Sequence, residues 1–416
     1  MNAEFLKALF DKAVEASDPA SVMPPFIPSP PPGRLVVVGA GKAAALMART
    51  VEKNYSGPIS GLVVTRYGHN VPCEYIEVVE ASHPVPDAAG EAAARRILDA
   101  VRGLDENDLV LCLISGGGSA LLSLPAEGLS ISDKRAVNEA LLRSGANITE
   151  MNCVRKHLSA IKGGRLAAAA WPAPMLTLAI SDVPGDDPSV IASGPTVGDP
   201  TTLADVEKVI GKYGIELPPS VSGFLASAGG ETPKPGDEKL GRSQVILIAK
   251  PALALEAAAS LARAEGVEAI ILGDAIEGEA RDVAREHARL AARAAAQSGV
   301  SRVFLSGGEV TVTIKAEGRG GPNAEYALAM ALELDGNPAV RAIACDTDGV
   351  DGSEDNAGAI IGPDTLARAK SLGLDGAAFL DANDSYGFFE ALGDLVMTGP
   401  TLTNVNDFRA ILVNGE

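Results

Sequence analysis

Short apolar runs alternate with longer stretches of helical periodicity along the chain. Apolar runs bounded by glycine or proline predict buried strands, and stretches with apolar residues three and four apart predict amphipathic helices. The predicted strands are 35–38, 62–65, 76–79, 109–114, 175–181, 245–249, 269–272, 303–305, 310–314 and 340–344. The predicted helices are 1–17, 43–51, 88–102, 133–142, 149–161, 251–264, 279–297, 323–334 and 363–372. This alternation predicts α/β domains, each with a mainly parallel sheet flanked by helices.

The length and one irregular segment predict two domains. With 416 residues, the chain exceeds what one hydrophobic core usually organises. Residues 218–241 are rich in Pro, Gly, Ser and Lys and lack periodicity, which is typical of a linker. We therefore expect a Rossmann-like N-terminal domain over 1–236 and a second α/β domain over 237–416.

The charge balance limits the classes of partner. The 35 basic and 54 acidic residues give a net charge of −19, which argues against nucleic acid and anionic membranes as partners. No apolar stretch of the sequence is long enough to span a bilayer, and residues 1–17 predict an amphipathic helix instead of a signal peptide. We expect a cytoplasmic enzyme that holds any anionic substrate with a few local lysines and arginines.

A glycine-rich loop follows the apolar run 109–114. Ser115-Gly116-Gly117-Gly118-Ser119 has the composition of a tight loop whose backbone N–H groups bind phosphate, because glycine lets the backbone approach a ligand closely. The spacing matches neither a P-loop nor the dinucleotide fingerprint. An ordinary strand-to-helix turn therefore remains the alternative.

Lys42 follows a second glycine turn, after the predicted strand 35–38. A lysine at a helix N-terminus opposes the helix dipole, so its position favours a role in holding an anion. The alternative is a solvated lysine on the first helical turn. Further along, Arg155, Lys156 and Lys162 form a cationic cluster in an acidic protein, for which a solvated basic face is the alternative.

Acidic residues follow two other predicted strands. Asp182 and Asp186 lie in a proline- and glycine-containing turn after the strand 175–181, and Asp348 lies in a similar loop after the strand 340–344. Carboxylates at such positions suit Mg²⁺ binding or acceptance of a substrate hydroxyl proton. The alternative is ordinary turn chemistry, since turns are rich in Asp, Pro and Gly. A cationic loop, 318–323, precedes another predicted helix.

Several segments, taken in order, resemble the glycerate 2-kinases. The family includes tartrate-utilisation proteins that carry the name hydroxypyruvate reductase, and its C-terminal part is the MOFRL domain. The resemblance covers residues 3–412 and is carried by 38–43, 115–121, 152–167, 181–196, 306–309 and 346–352. It implies ATP-dependent, Mg²⁺-assisted phosphorylation of D-glycerate to 2-phospho-D-glycerate. It also implies an active site in a cleft between two α/β domains.

The residues and the resemblance together give a hypothesis for the site. Lys42 and Arg319 hold the γ-phosphoryl oxygens, and Asp182 accepts the proton of the substrate hydroxyl. The nucleotide is bound by Ser115, Gly116, Gly117, Gly118, Ser119 and Asn323. The hydroxy acid is bound by Arg155, Lys156 and Lys162, and Mg²⁺ by Asp186 and Asp348. The resemblance also implies a departure, since many family members carry Arg in place of Pro322 and Gln in place of Ala324. If that arginine is functional, either Arg319 substitutes for it or another residue has the role.

Two other functions fit parts of the pattern. Residues 38–41 resemble the start of a dinucleotide site, which favours an NAD(P)H-dependent hydroxypyruvate reductase. The third glycine and the acid after the second strand are missing, however. A non-catalytic, two-lobed small-molecule-binding protein is the other alternative. We also expect a homodimer, because enzymes of this kind are usually symmetric oligomers.

Overall fold

The computed structural model describes residues 1–227, 229–297 and 299–415. The α-helices of this part of the chain are α1 (Ala3–Glu15), α2 (Pro19–Val22), α3 (Ala44–Asn54), α4 (Ala88–Ala100), α5 (Gly118–Leu121), α6 (Ile131–Ser144), α7 (Ile148–His157), α8 (Arg165–Ala170), α9 (Leu203–Tyr213), α10 (Pro219–Ala226), α11 (Pro251–Ala264), α12 (Ala280–Ala295), α13 (Pro322–Leu334), α14 (Thr365–Ser371), α15 (Gly376–Asp381) and α16 (Ser385–Leu392). The strands are β1 (Leu35–Ala40), β2 (Ile59–Arg66), β3 (Ile76–Ala81), β4 (Leu109–Ile114), β5 (Met175–Ile180), β6 (Ser243–Ala249), β7 (Glu268–Gly273), β8 (Gly278–Glu279), β9 (Arg302–Gly308), β10 (Val310–Thr311), β11 (Val340–Asp346), β12 (Gly358–Ile361), β13 (Leu395–Val396) and β14 (Asp407–Val413).

The chain forms two compact units whose boundaries differ from the predicted ones. The parallel-sheet unit comprises residues 22–181 and 186–248. The mixed-sheet unit comprises residues 1–21, 182–185 and the chain from Ala249 onward. The first helix was assigned to the N-terminal domain, but α1 packs on α11 and β14 of the mixed-sheet unit. Its apolar face supplies three fully buried side chains to that unit: Leu6, Leu9 and Phe10.

A six-stranded sheet in the order β3-β2-β1-β4-β5-β6 organises the parallel-sheet unit. The prediction of a parallel sheet is confirmed here, since β1 pairs in parallel with β2 and β4, β2 with β3, and β4 with β5. In this register Ala40, the last residue of β1, lies beside Ile114, the last residue of β4. The glycine turns that follow these two strands therefore begin side by side at one edge of the sheet.

The sheet of the mixed-sheet unit has the order β13-β12-β11-β14-β9-β7 and departs from the prediction. Only β7 and β9 pair in parallel among its described pairs; the other four pairs are antiparallel. Each antiparallel pair contains β12 or β14, two strands that were not predicted from the sequence. The C-terminal strand β14 inserts between β9 and β11, and β12 follows β11 through a loop without a crossover helix.

The predicted linker, 218–241, is part of the parallel-sheet unit. It contains the helix α10, and Thr232 is buried and donates a hydrogen bond to Asp199 at 3.1 Å. Proline and glycine here make turns within a folded unit, which composition alone does not distinguish from a linker. Among the described residues, no helix is long and apolar enough to cross a membrane.

We predict that Phe10→Ala destabilises the mixed-sheet unit. Phe10 is 1% exposed and its ring centroid lies 5.9 Å from that of Phe408 on β14. Truncating such a side chain leaves a cavity and costs about 3–5 kcal/mol of unfolding free energy. Urea unfolding followed by circular dichroism measures the loss. Phe26→Ala, at a phenylalanine that is 37% exposed, is the control; equal losses in the two variants would contradict the assignment of α1 to this core.

Candidate active site

Hydrogen bonds join the turns that follow β1 and β4. The amide of Lys42 donates to the carbonyl of Gly116 at 2.8 Å, and the amide of Ala43 donates to Ser115 Oγ at 3.0 Å. Ser115 is fully buried, and its own amide donates to the carbonyl of Ala40 at 3.1 Å. The two turns therefore form one connected surface at the carboxyl edge of the sheet, where α/β proteins bind ligands.

Gly117 lies next to the side chains of His83 and Lys42. Its φ of +79° falls in the left-handed region that favours glycine. A Cβ at this position would lie 3.0 Å from His83 Nε2 and 3.5 Å from Lys42 Cγ. The predicted anion-binding residue Lys42 thus lies beside the glycine loop, together with a histidine that the sequence did not single out.

A cavity of about 270 Å³ opens beside this loop, within the parallel-sheet unit. Four cationic side chains line it, whereas none of its lining residues, all in the described part of the chain, carries a carboxylate; the cations are Lys134, Arg135, Arg155 and Lys162. Gly117 and Ser119 form part of the same wall. The structure therefore brings together four of the predicted site residues, namely Gly117, Ser119, Arg155 and Lys162.

Lys162 connects the cavity to the glycine loop. Its side chain is 4% exposed, and Nζ donates to the carbonyl of Ser119 at 2.7 Å and to Ser119 Oγ at 3.1 Å. Burial, with repulsion from Lys134 and Arg155, holds the pKa of Lys162 well below its usual range. An anion in the cavity would remove this repulsion, so the arrangement favours anion binding.

Arg155 is held at the cavity by α6 and by its own helix, α7. Its Nε donates to Asn138 Oδ1 at 2.7 Å, and one terminal nitrogen lies 3.5 Å from Asn152 Oδ1. Burial lowers the pKa of Arg155, but a guanidinium in a protein remains charged. A fixed, planar guanidinium suits a carboxylate or phosphate ligand.

Lys156 does not line the cavity, contrary to its predicted substrate role. It is 6% exposed, and Nζ forms an ion pair with Asp199 Oδ1 at 2.7 Å. Asp199 also accepts hydrogen bonds from Thr201 and Thr232, so this pair ties α7 to the segments that follow β5. Successive residues of a helix face different directions, which explains why Arg155 lines the cavity and Lys156 does not.

Asn323 and Asp348 are fixed inside the mixed-sheet unit. Asn323 is fully buried; its amide donates to Asp351 Oδ1 at 2.9 Å and its side chain donates to Asp407 Oδ1 at 2.7 Å. Asp348 is 1% exposed and accepts a hydrogen bond from the amide of Val350 at 2.8 Å. These contacts hold Asn323 in place at the start of α13.

Arg319 lies on the surface of the mixed-sheet unit. Its guanidinium bonds Glu390 Oε2 at 2.9 Å and stacks over the ring of Tyr386, with Cζ 4.4 Å from the ring centroid. The side chain is 53% exposed. In this conformation the Arg319 guanidinium is engaged by neighbours within its own unit.

The predicted acids belong to different units. Asp182 belongs to the mixed-sheet unit. Its Oδ2 lies 3.4 Å from the side-chain nitrogen Nδ2 of Asn404, and its backbone carbonyl accepts a hydrogen bond from Nδ2 of Asn406 at 2.7 Å. Asp186, with a φ of +56°, belongs to the parallel-sheet unit. Within the described ranges, no group of three or more His, Cys, Asp or Glu residues is arranged to hold a metal ion.

Several residues in or beside the cavity were not predicted from the sequence. Lys134 and Asn138 are one helical turn apart on α6, a spacing that could have indicated a shared face. Ser193, whose Oγ lies 2.7 Å from Ser119 Oγ, has a φ of +63° that no sequence signal indicates.

Two family models match this chain. One, described as a domain of unknown function (DUF4147), matches residues 5–226, and the MOFRL family model matches residues 302–407. A D-glycerate 2-kinase of Thermotoga maritima is 40% identical over 401 residues, which cover 95% of this chain and 94% of that protein. A protein of Agrobacterium vitis with the provisional name hydroxypyruvate reductase is 55% identical over 416 residues, which cover 99% of this chain and 94% of that protein.

A solved structure has the same fold. The crystal structure of glycerate kinase from Thermotoga maritima matches with a TM-score of 0.89 at 39% sequence identity, and the match covers 99% of each chain. The prediction of two α/β domains is confirmed by this match.

We predict that Gly117→Ala abolishes anion binding at the cavity. Both Gly117 and Gly128 have positive φ, so alanine at either position costs about 1 kcal/mol of backbone strain. Only at Gly117 would the new Cβ meet His83, because nothing lies within 4 Å of a Cβ at Gly128. Calorimetric titration with inorganic phosphate should show binding to Gly128→Ala and none to Gly117→Ala. Unchanged binding by Gly117→Ala would show that the loop does not shape the anion site.

Proposed function

The chain belongs to the glycerate 2-kinase family, and from this premise we propose that it transfers the γ-phosphoryl group of ATP to D-glycerate, giving 2-phospho-D-glycerate. The residues that line one cavity support this proposal. The cavity beside the glycine loop is lined by four cations, with no acid among its lining residues in the described chain. A small anionic substrate fits such a site, although the protein as a whole is acidic.

The chemistry required of the protein is mainly positioning and charge stabilisation. Arg155 binds the glycerate carboxylate, for which its planar guanidinium is suited. The backbone of residues 115–119 binds the nucleotide phosphates, and Lys42 stabilises charge on the transferring group. Lys162 supports both functions because it lines the cavity and holds Ser119 of the loop.

The roles proposed for residues of the mixed-sheet unit rest on the family resemblance. Asp182 accepts the proton of the substrate hydroxyl, and Asn323 contributes to nucleotide binding from its buried position. Arg319 stabilises the γ-phosphoryl group and exchanges its contact with Glu390 for the phosphate.

Mg²⁺ is the proposed companion of the nucleotide. Mg²⁺ commonly uses phosphate and water oxygens with only one or two carboxylates. Asp186 and Asp348 are the proposed carboxylates, and the bound ion would neutralise charge on the phosphates.

The hydroxypyruvate reductase alternative conflicts with the hydrogen bonds of the first glycine turn. A dinucleotide pyrophosphate binds to free N–H groups at the start of the helix that follows β1. Here the amides of Lys42 and Ala43 donate to Gly116 and Ser115 of the neighbouring loop. This occupation of the turn favours the kinase.

We also propose that the protein is a cytoplasmic homodimer.

We predict that the purified protein forms 2-phospho-D-glycerate from D-glycerate, ATP and Mg²⁺. A coupled assay for ADP release measures turnover, and ³¹P NMR distinguishes the 2-phosphate from the 3-phosphate. In a parallel reaction, NADH with hydroxypyruvate should show no change in absorbance at the NADH wavelength. Oxidation of NADH without ADP release would establish the reductase instead.

We predict that Lys42→Ala lowers kcat by about 10²–10³-fold, the usual effect of removing one group that stabilises transition-state charge. Lys53→Ala, at an exposed lysine near the end of α3, the helix that follows Lys42, is the control and should retain full turnover. Circular dichroism checks folding of both variants. Undiminished kcat in folded Lys42→Ala would remove Lys42 from the mechanism.

A further inference from the structure

The charge of the cavity exceeds the charge of the proposed substrate. Four cations line it, whereas D-glycerate carries a single negative charge. A phosphorylated hydroxy acid carries a carboxylate and a phosphate, which together bring about three negative charges at neutral pH. We propose that this cavity binds the phosphorylated acid more tightly than the unphosphorylated acid, so that the product inhibits the enzyme in competition with the hydroxy acid. This inference rests on the proposed function.

The cations approach the cavity from separate elements. Lys134 and Arg135 lie on α6, Arg155 lies on α7, and Lys162 lies in the loop before α8. Two anionic groups on neighbouring carbons of one small molecule can therefore contact different cations. A single carboxylate can satisfy only part of this set, because one bidentate contact occupies one guanidinium.

Lys162 and Arg155 keep N–H donors that their contacts within the protein do not use. An ammonium has three N–H donors, and Lys162 uses two of them on Ser119. A guanidinium has five, and Arg155 uses three of them, on Asn138, Asn152 and the sulfur of Met151. The cavity is thus able to offer hydrogen bonds, as well as charge, to two ligand groups.

Mutual repulsion among the cations supports the same conclusion. Burial and the nearby Arg155 lower the pKa of Lys134 to about 8, although Glu91 on α4 acts in the opposite direction. Lys162 is subject to repulsion from both Lys134 and Arg155. A ligand with three charges offsets more of this repulsion than a ligand with one, and the difference is largest where the cations are least solvated.

The lowered pKa of Lys134 determines how binding of the phosphorylated acid depends on pH. Lys134, with its pKa lowered to about 8, loses its charge as the pH rises through that value. The titratable and charged groups facing this region also include Glu91 and the cavity-lining His83, Arg135, Arg155 and Lys162. Since the phosphate group is fully ionised above pH 7, affinity for the phosphorylated acid should fall as the pH rises from 7 to 9.

Steady-state kinetics test the proposal in the intact enzyme. At saturating ATP and varied D-glycerate, 2-phospho-D-glycerate should inhibit competitively with a Ki about tenfold or more below the KM for D-glycerate. Lys134→Gln should raise Ki about tenfold and KM by a smaller factor, because one lost charge affects a trianion more than a monoanion. Lys134→Arg, which keeps the charge, should retain a low Ki.

Arg143→Gln is the matched control. Arg143 lies on the same helix, is 75% exposed, and does not line the cavity, so its removal changes net charge equally without changing Ki or KM. A Ki equal to or above the KM for D-glycerate would overturn the proposal. Inhibition competitive with ATP alone, or an equal effect of Lys134→Gln and Arg143→Gln, would overturn it as well.

Calorimetry without nucleotide separates this inference from the proposed function. The two titrants are D-glycerate and 2-phospho-D-glycerate. Tight binding of the phosphorylated acid by a protein that does not turn over would sustain the binding inference and contradict the kinase assignment. Normal turnover with weak binding of the phosphorylated acid would sustain the kinase and contradict the inference.

Discussion

The parallel pairing of β1 with β4 is the constraint on which the site depends. Because Ala40 and Ile114 are register partners, the turn with Lys42 and the glycine loop leave the sheet side by side. Hydrogen bonds between the turns then use backbone groups that a dinucleotide would otherwise require. The same pairing therefore brings the two glycine turns together at the sheet edge and argues against the dinucleotide-dependent alternative.

The second element of the site is a set of cations that the fold holds under mutual repulsion. Lys162 is buried against Ser119, and Asn138 holds Arg155. Withdrawing positive charges from water is unfavourable for the folded protein, and none of the described residues that line the cavity is an acid that could pair with them. An arrangement of this kind is typical of a functional site, where a ligand of opposite charge supplies the missing interaction.

The sequence pattern predicts local features better than those that depend on distant partners. The strands at 35–38 and 109–114 and their glycine turns follow from periodicity and composition. The insertion of β14 into the second sheet does not, because a C-terminal strand finds its neighbours only in three dimensions. Likewise, Arg155 was predicted for the site, whereas Lys134 was not. The spacing of Lys134 and Asn138 indicates a shared helix face, but only tertiary packing places that face at the cavity. Lys156 was predicted for the site but lies in an ion pair with Asp199.

A crystal structure of the enzyme with 2-phospho-D-glycerate would show whether the cavity beside the glycine loop is the substrate site. We expect the acid to occupy this cavity, with its carboxylate bound by Arg155 and its phosphate within hydrogen-bond distance of Lys134 or Lys162. Electron density for the acid elsewhere, with water alone among the four cations, would contradict the assignment of this cavity as the substrate site.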